Sequence, residues 1–437
     1  MPKKPVSNVV NINTGAPIVV PKKKATVKKA PVARGTEQHK WEFKPRFRKG
    51  CFGWKSQPAI IRIKEAISEI KKVARKDGAL AGEGAVIFFE RLSPALEHVD
   101  SSSGYLGSAV HKAIEELVPI IAGAAIDQAT RDEWLDRLWK AREEDKMPYI
   151  EAIGDHWGEL CSSPEIASRW ADDLIGLVRL TWSEGRPGAY FDGTTSCLSA
   201  LLKAGRNAEL IELLKLERLK MWHYQQYGAR ALAQMGKVSE AIEFAETCGH
   251  HGDYLWVARA CEQLLLSAGR IEEAYERYAI NANRENSYLS TYRAIAKKYP
   301  TIPPKRILDD LIETSPGQEG KWFATAKELG MLDLALELAR KGPCDPKTLT
   351  RAANDYLEEN PEFAMNVGMA ALAWLLKGYG YEISGLDVWA AYHATMKAAE
   401  AAGNADEVRS KITQAVKFGL TERNAIAGIL ARELGLK

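Results

Sequence analysis

The densest group of metal-capable side chains is the run Cys248-Gly-His-His-Gly-Asp253, which sets Cys248, His250, His251 and Asp253 within six residues. Zinc sites draw their ligands from two separated pairs, and two adjacent histidines do not readily face one ion, so a polar inter-helix turn is the simpler reading. No metal site and no cofactor is expected. Two further stretches, Asp100-Ser-Ser-Ser-Gly104 and Asp192-Gly-Thr-Thr-Ser196, have the residue types of phosphate or nucleophile loops. Neither follows a strand or ends in the Lys-Ser/Thr of a phosphate-binding loop, and helix capping accounts for both. Acidic pairs such as Glu143-Glu144 and Asp172-Asp173 read as solvated helix faces. No nucleophile, base and orienting group can be placed together, so no catalytic residue is assigned and a non-enzymatic role is expected.

Binding chemistry is better represented. Met221-Trp222-His223-Tyr224-Gln225-Gln226-Tyr227 puts aromatic and polar side chains on the first helix of a predicted helix pair. Trp222, His223, Tyr224 and Gln226 could form a platform for a peptide. Tyr288, Tyr292, Arg293 and Lys297 on a later first helix would extend the same face. The competing reading makes Trp222 and Tyr227 packing residues, because aromatics at helical spacing commonly fill cores.

A second binding element is electrostatic. Residues 1–50 carry thirteen Lys/Arg against Glu37 and Glu42, a net of +11 within a chain total of +3, which leaves −8 for residues 51–437. Residues 1–40, with Lys22, Lys23, Lys24, Lys28 and Lys29 in clusters and no aromatic, cannot bury enough apolar surface to offset chain entropy and are expected to be a disordered arm. Residues 41–55 form a hinge in which Trp41, Phe43, Phe47, Phe52 and Trp54 are interleaved with Lys44, Arg46, Arg48 and Lys49. Such a segment can attract nucleic acid or an acidic partner and stack on bases. Alternatively, Trp41, Phe43, Phe47 and Trp54 pin the hinge to the first helices.

These residues must be positioned by helices, since no credible strand is found. Ser56, shortly before Pro58, marks the first start, and Ile60, Ile63, Ile67 and Ile70 recur at helical spacing. Helices are predicted at 58–77, 79–91, 105–122, 128–144, 148–161 and 164–182, with the stretch from Tyr105 to Ala124 apolar enough to be a buried central helix. A loop at 184–188 follows. The C-terminal stretch predicts helices at 346–358, 361–377, 385–402, 404–418 and 421–434.

Beyond residue 190 the sequence repeats. Four segments align on Gly205, Gly236, Gly269 and Gly330, with Leu210, Ala241, Ala274 or Ala335 five residues on and Glu212, Glu243, Glu276 or Glu337 seven residues on. The intervals between the glycines are 31, 33 and 61 residues, the last fitting two repeats. A left-handed glycine would end one helix, and the small residue after it would let the next pack closely. Gly403 is a candidate for one more junction. This pattern resembles tetratricopeptide-like repeat proteins over residues 190–340, although the family's Trp and closing Pro are missing at most positions. As a whole the chain is also similar to bacterial helical proteins of uncharacterised function. The resemblance implies an all-α helical-hairpin solenoid with a protein- or peptide-binding role.

The expected organisation is therefore a basic arm at 1–40, a hinge at 41–55, an N-terminal helical region at 56–184, repeats at 185–345 and a C-terminal helical region at 346–437. The expected function is an adaptor for a protein or peptide, with nucleic acid binding through residues 1–55 as the alternative. Six scattered cysteines, no signal-type N-terminus and no apolar run near the roughly 20 residues of a membrane span point to a cytoplasmic protein.

Overall fold

A computed structural model describes residues 39–184, 190–248 and 254–436. Those residues are all-α, with 21 α-helices and no strand among them. They divide into two compact units that meet in sequence at Leu264 and Leu265. That boundary falls inside the span read from sequence as a single repeat array, because glycine junctions mark helix ends and not domain edges.

In the first unit, α1 (Ser56–Ala74), α2 (Gly78–Leu96) and α3 (Tyr105–Ala122) pack on one another, and α4 (Gln128–Glu143) lies on α2. The short α5 (Trp157–Cys161) and the long α6 (Pro164–Glu184) pack on α7 (Thr194–Lys203). Then come α8 (Asn207–Lys215), α9 (Trp222–Gln234), α10 (Val238–Cys248) and α11 (Tyr254–Ser267), the last containing the sequence boundary with the second unit. The segment predicted as one helix over 148–161 is instead a 3-10 helix at Glu151–His156 leading into α5. The helix α3 is buried along one face, from Leu106 through Val110, Ile114 and Leu117 to Ile121, while Tyr105, His111 and Lys112 are exposed. It is amphipathic and not a helix buried on all sides.

The C-terminal carbonyls of α3, which have no partner within the helix, are collected by a buried arginine. Arg131 donates to the carbonyls of Ile121 at 2.6 Å and Ala122 at 3.3 Å, and to that of Ala124, just beyond the helix, at 3.0 Å. Desolvation lowers its pKa.

The hinge is docked by shape and by hydrogen bonds. Trp41, Phe43 and Phe47 are buried in the core of the first unit. A Cβ at Gly84 would stand 2.2 Å from the Trp41 indole, so only glycine lets the ring seat on α2. The Glu69 carboxylate accepts from the backbone amides of Glu42 at 2.7 Å and Phe43 at 3.0 Å. Trp54 is the exception to the expected pinning and is 71% exposed.

The second unit continues with α12 (Ile271–Ala282), α13 (Tyr288–Lys298), α14 (Pro304–Glu313), α15 (Phe323–Glu328), α16 (Leu332–Lys341), α17 (Pro346–Asp355), α18 (Pro361–Leu376), α19 (Gly385–Ala401), α20 (Ala405–Thr421) and α21 (Ala425–Glu433). Its best-packed part is the group α17, α18 and α19, with α20 and α21 laid against α19. The last helix starts at Ala425, not 421, because Asn424 caps it by accepting from the amides of Ile426 and Ala427.

The repeat glycines adopt the conformation that their spacing predicts. Gly205, Gly236, Gly269, Gly330 and Gly403 all have φ between 71° and 78°. At each, the glycine amide and the following amide donate back to two carbonyls of the preceding helix, as in Gly205 to Leu202 and Arg206 to Leu201. The next helix begins two residues after each glycine, and Leu210, Ala241, Ala274 and Ala335 are fully buried.

Candidate functional site

The segment between α8 and α9 is organised by one buried carboxylate. Glu217 accepts from the amides of Leu219 at 2.8 Å and Met221 at 2.9 Å and from Gln225 Nε2 at 3.1 Å. Lys220, held at φ 51°, turns its ammonium back to the carbonyls of Leu214 and Lys215 at the end of α8. With the backbone tied this way, Leu219 and Met221 project outward and are 52% and 44% exposed.

They form one side of a groove of about 1280 Å³, all of whose lining lies in the first unit. Trp222, His223, Gln226, Tyr227 and Arg230 contribute from α9, and Trp256, Arg259 and Gln263 from α11. Asp155, His156 and Glu159, with Ser199 and Lys203 of α7, supply further polar lining. Trp256 is 57% exposed, and the Arg259 guanidinium lies over its ring at 5.3 Å.

The floor is fixed by hydrogen bonds. Tyr227 donates its hydroxyl to the Asp155 carboxylate at 3.1 Å, and burial raises the phenol's pKa. Ser199 donates to the Asp155 carbonyl at 2.9 Å and accepts from the Gly158 amide at 3.0 Å. Arg230 lies over the Tyr227 ring and donates to Gln226 Oε1 at 3.0 Å.

The residues expected on the binding face therefore separate. Trp222, His223 and Gln226 line the groove, but Trp222 is only 7% exposed and serves packing as well. Tyr224 does not line it; its ring stands edge-on to Trp182, and burial pushes the phenol up to about 12. In the second unit Tyr288 packs edge-on against Trp322, Tyr292 is buried, and Arg293 forms a two-pronged pair with Glu328, donating through Nε at 2.9 Å and through a second contact from Nη2. These three are engaged inside their own unit.

The hinge cations have local roles. Arg46 pairs with Glu65 at 3.1 Å, Lys49 with Glu97 at 3.5 Å, and Arg48 donates to the Pro45 carbonyl. Lys44 is exposed. Burial of Trp41, Phe43 and Phe47 removes them as stacking platforms for bases. Lys22, Lys23, Lys24, Lys28 and Lys29 lie outside the described residues, as do residues 185–189, on which most of the loop expected at 184–188 falls, and residues 249–253 of the Cys248 run. Cys248 itself is buried, and among the described residues no group of three His, Cys, Asp or Glu side chains could hold a metal ion.

Neither loop proposed to cap a helix does so. Asp100 accepts from the Ser102 amide and hydroxyl in a turn of its own, and α3 starts from Gly104 without a side-chain cap. Asp192 is instead paired with the buried guanidinium of Arg142 at 2.6 Å. Buried charge is better spent on such a partner than on an exposed helix end. Near it, Asp145 accepts from Ser93 and from the Ile150 amide, and burial raises its carboxyl above the usual range. It does not line the groove.

Sequence reasoning missed Lys203, Leu219, Arg230, Trp256 and Arg259. Trp256 and Arg259 carried a signal, an aromatic three residues before an arginine on one helix face. Leu219 carried none, because its exposure depends on Glu217 closing the loop behind it.

No protein-family model matches the chain, and a comparison with curated proteins finds no relative.

Proposed function

We propose that this protein is a non-enzymatic adaptor of helical-repeat type that binds a protein or peptide partner in the groove between Leu219–Met221 and Trp256. One observation carries the reading. Three large apolar side chains, Leu219, Met221 and Trp256, stay exposed together in one concavity next to Arg230 and Arg259. Exposed tryptophan, methionine and arginine around a concave patch is the composition of protein interfaces, and tryptophan and arginine dominate their energetics. The volume also exceeds the roughly 300–1,000 Å³ of small-molecule pockets. The left-handed glycine junctions support a tetratricopeptide-like repeat, and the expected setting is the cytoplasm; no described helix is long and apolar enough to cross a membrane.

The test is a photocrosslinking amino acid at position 221, compared with one at Phe418, which is 69% exposed in the second unit. The reading expects a discrete crosslinked partner from position 221 that disappears with Trp256→Ala. Equal crosslinking from both positions would refute it.

The alternative, nucleic acid binding through residues 1–55, rests on charge, with Trp54 the one tryptophan of that segment left exposed to stack on a base. It predicts oligonucleotide affinity that falls steeply with salt and is lost when residues 1–55 are deleted.

A further inference from the structure

The groove's charges point to the kind of partner. Its lining holds four cations, Lys203, Lys220, Arg230 and Arg259, against two carboxylates, Asp155 and Glu159. Asp155 is already bonded to the Tyr227 hydroxyl, and Glu159 stands 3.3 Å from His156. Among the described residues Lys203, Lys220 and Arg230 form no ion pair, and the nitrogens of Lys220 and Arg230 go to neutral oxygens. Elsewhere in the first unit two arginines are closed by carboxylates. Arg206 is bound to Asp172 and Glu209, and Arg169 to Asp132.

We infer that the groove takes an acidic amphipathic segment of a partner protein, with apolar side chains against Leu219, Met221 and Trp256 and carboxylates over Lys203 and Arg230. The inference rests on the groove being the partner site. Charge complementarity selects this occupant. A basic segment would place like charges opposite Lys203 and Arg230, and an uncharged one would leave them without a counter-charge. A polyanion without apolar groups would leave Leu219, Met221 and Trp256 in water.

The test is selection of a displayed random 16-residue peptide library on the immobilised full chain. Selected peptides are then bound, by fluorescence anisotropy, to full chain carrying the crosslinker at position 221. Enrichment of sequences combining Asp/Glu with Leu, Ile or Phe is expected. Their crosslinking at 221 should persist, and their affinity should fall at least tenfold in Lys203→Glu/Arg230→Glu. It should change less than twofold in Lys397→Glu/Lys417→Glu, which changes net charge equally at exposed positions of the second unit. Peptides that crosslink at 221 but are basic or uncharged, or that ignore the groove reversal, overturn the acidic-segment inference and leave the groove reading standing. Displacement of the peptides from position 221 by a single-stranded 20-nucleotide DNA also overturns it, in favour of a nucleic acid ligand. Absence of any peptide that crosslinks at 221 overturns both.

Discussion

Two first helices of predicted pairs, α9 and α13, carry the same sequence signature of aromatics beside cations, and the molecule uses them differently. On α13, Arg293 is neutralised by Glu328 and Tyr288 is covered by Trp322. On α9, Arg230 is bonded only to a neutral amide oxygen and sits beside exposed Met221 and Trp256. Aromatic content therefore does not distinguish a packed face from a binding face. What distinguishes them is whether a carboxylate from a neighbouring helix arrives to close the charge.

The largest expected effect separates interior from surface in both units at once. Burial pushes the thiols of Cys161 and Cys197 in the first unit and Cys344 in the second up to about 12, from an ordinary 9.0. A raised pKa keeps each thiol protonated in the fold, so the contribution to stability is present below pH 9 and lost as pH rises toward 12. At pH 8 their thiolate fraction falls about a thousandfold, and closure of the core slows labelling further. Exposed Cys51 should react with a thiol reagent in seconds to minutes, while the other three wait for unfolding. Site-resolved labelling through a urea series then tells whether Cys344 becomes reactive at the same midpoint as Cys161 and Cys197. Separate midpoints would show that the two units fold independently.

Next come changes that act on the groove through stability. Trp222→Ala, at a largely buried indole, should cost about 3–5 kcal/mol, measured by denaturant unfolding. Glu217→Ala leaves the donors at Leu219, Met221 and Gln225 without their shared acceptor and should cost about 1–3 kcal/mol. It should also speed amide hydrogen exchange at Leu219 and Met221 without touching α13. Unchanged exchange there would mean that the carboxylate does not hold the loop.

Much of this arrangement was legible in the sequence. The glycines at 205, 236, 269, 330 and 403 announced helix ends, because a left-handed residue followed by a small apolar one has few other uses. Helix limits at 105–122 and 164–182 were found almost to the residue from periodicity and flanking turns. The groove was legible only in its α9 part. Trp222 and His223 stand out by type, but Lys203 belongs to the site through the packing of α7 on α9, a long-range contact that no local pattern encodes. The same limit misassigned Asp192, since its partner Arg142 lies 50 residues earlier in the chain.

The smallest expected effects on stability test the comparison most directly. Trp256→Ala removes a ring that is 57% exposed in the free protein, so the unfolding midpoint should move far less than with Trp222→Ala. If the ring is an anchor for the partner, affinity should nevertheless fall by a factor of about 30 or more. Arg293→Ala and Glu328→Ala break an exposed pair between α13 and α15 and should alter neither the partner's affinity nor, measurably, the midpoint. A loss of binding on α13 equal to that from Trp256→Ala would return Tyr288 and Arg293 to the binding face, because an internally satisfied arginine has no reason to be felt by a ligand seated in the groove of the first unit.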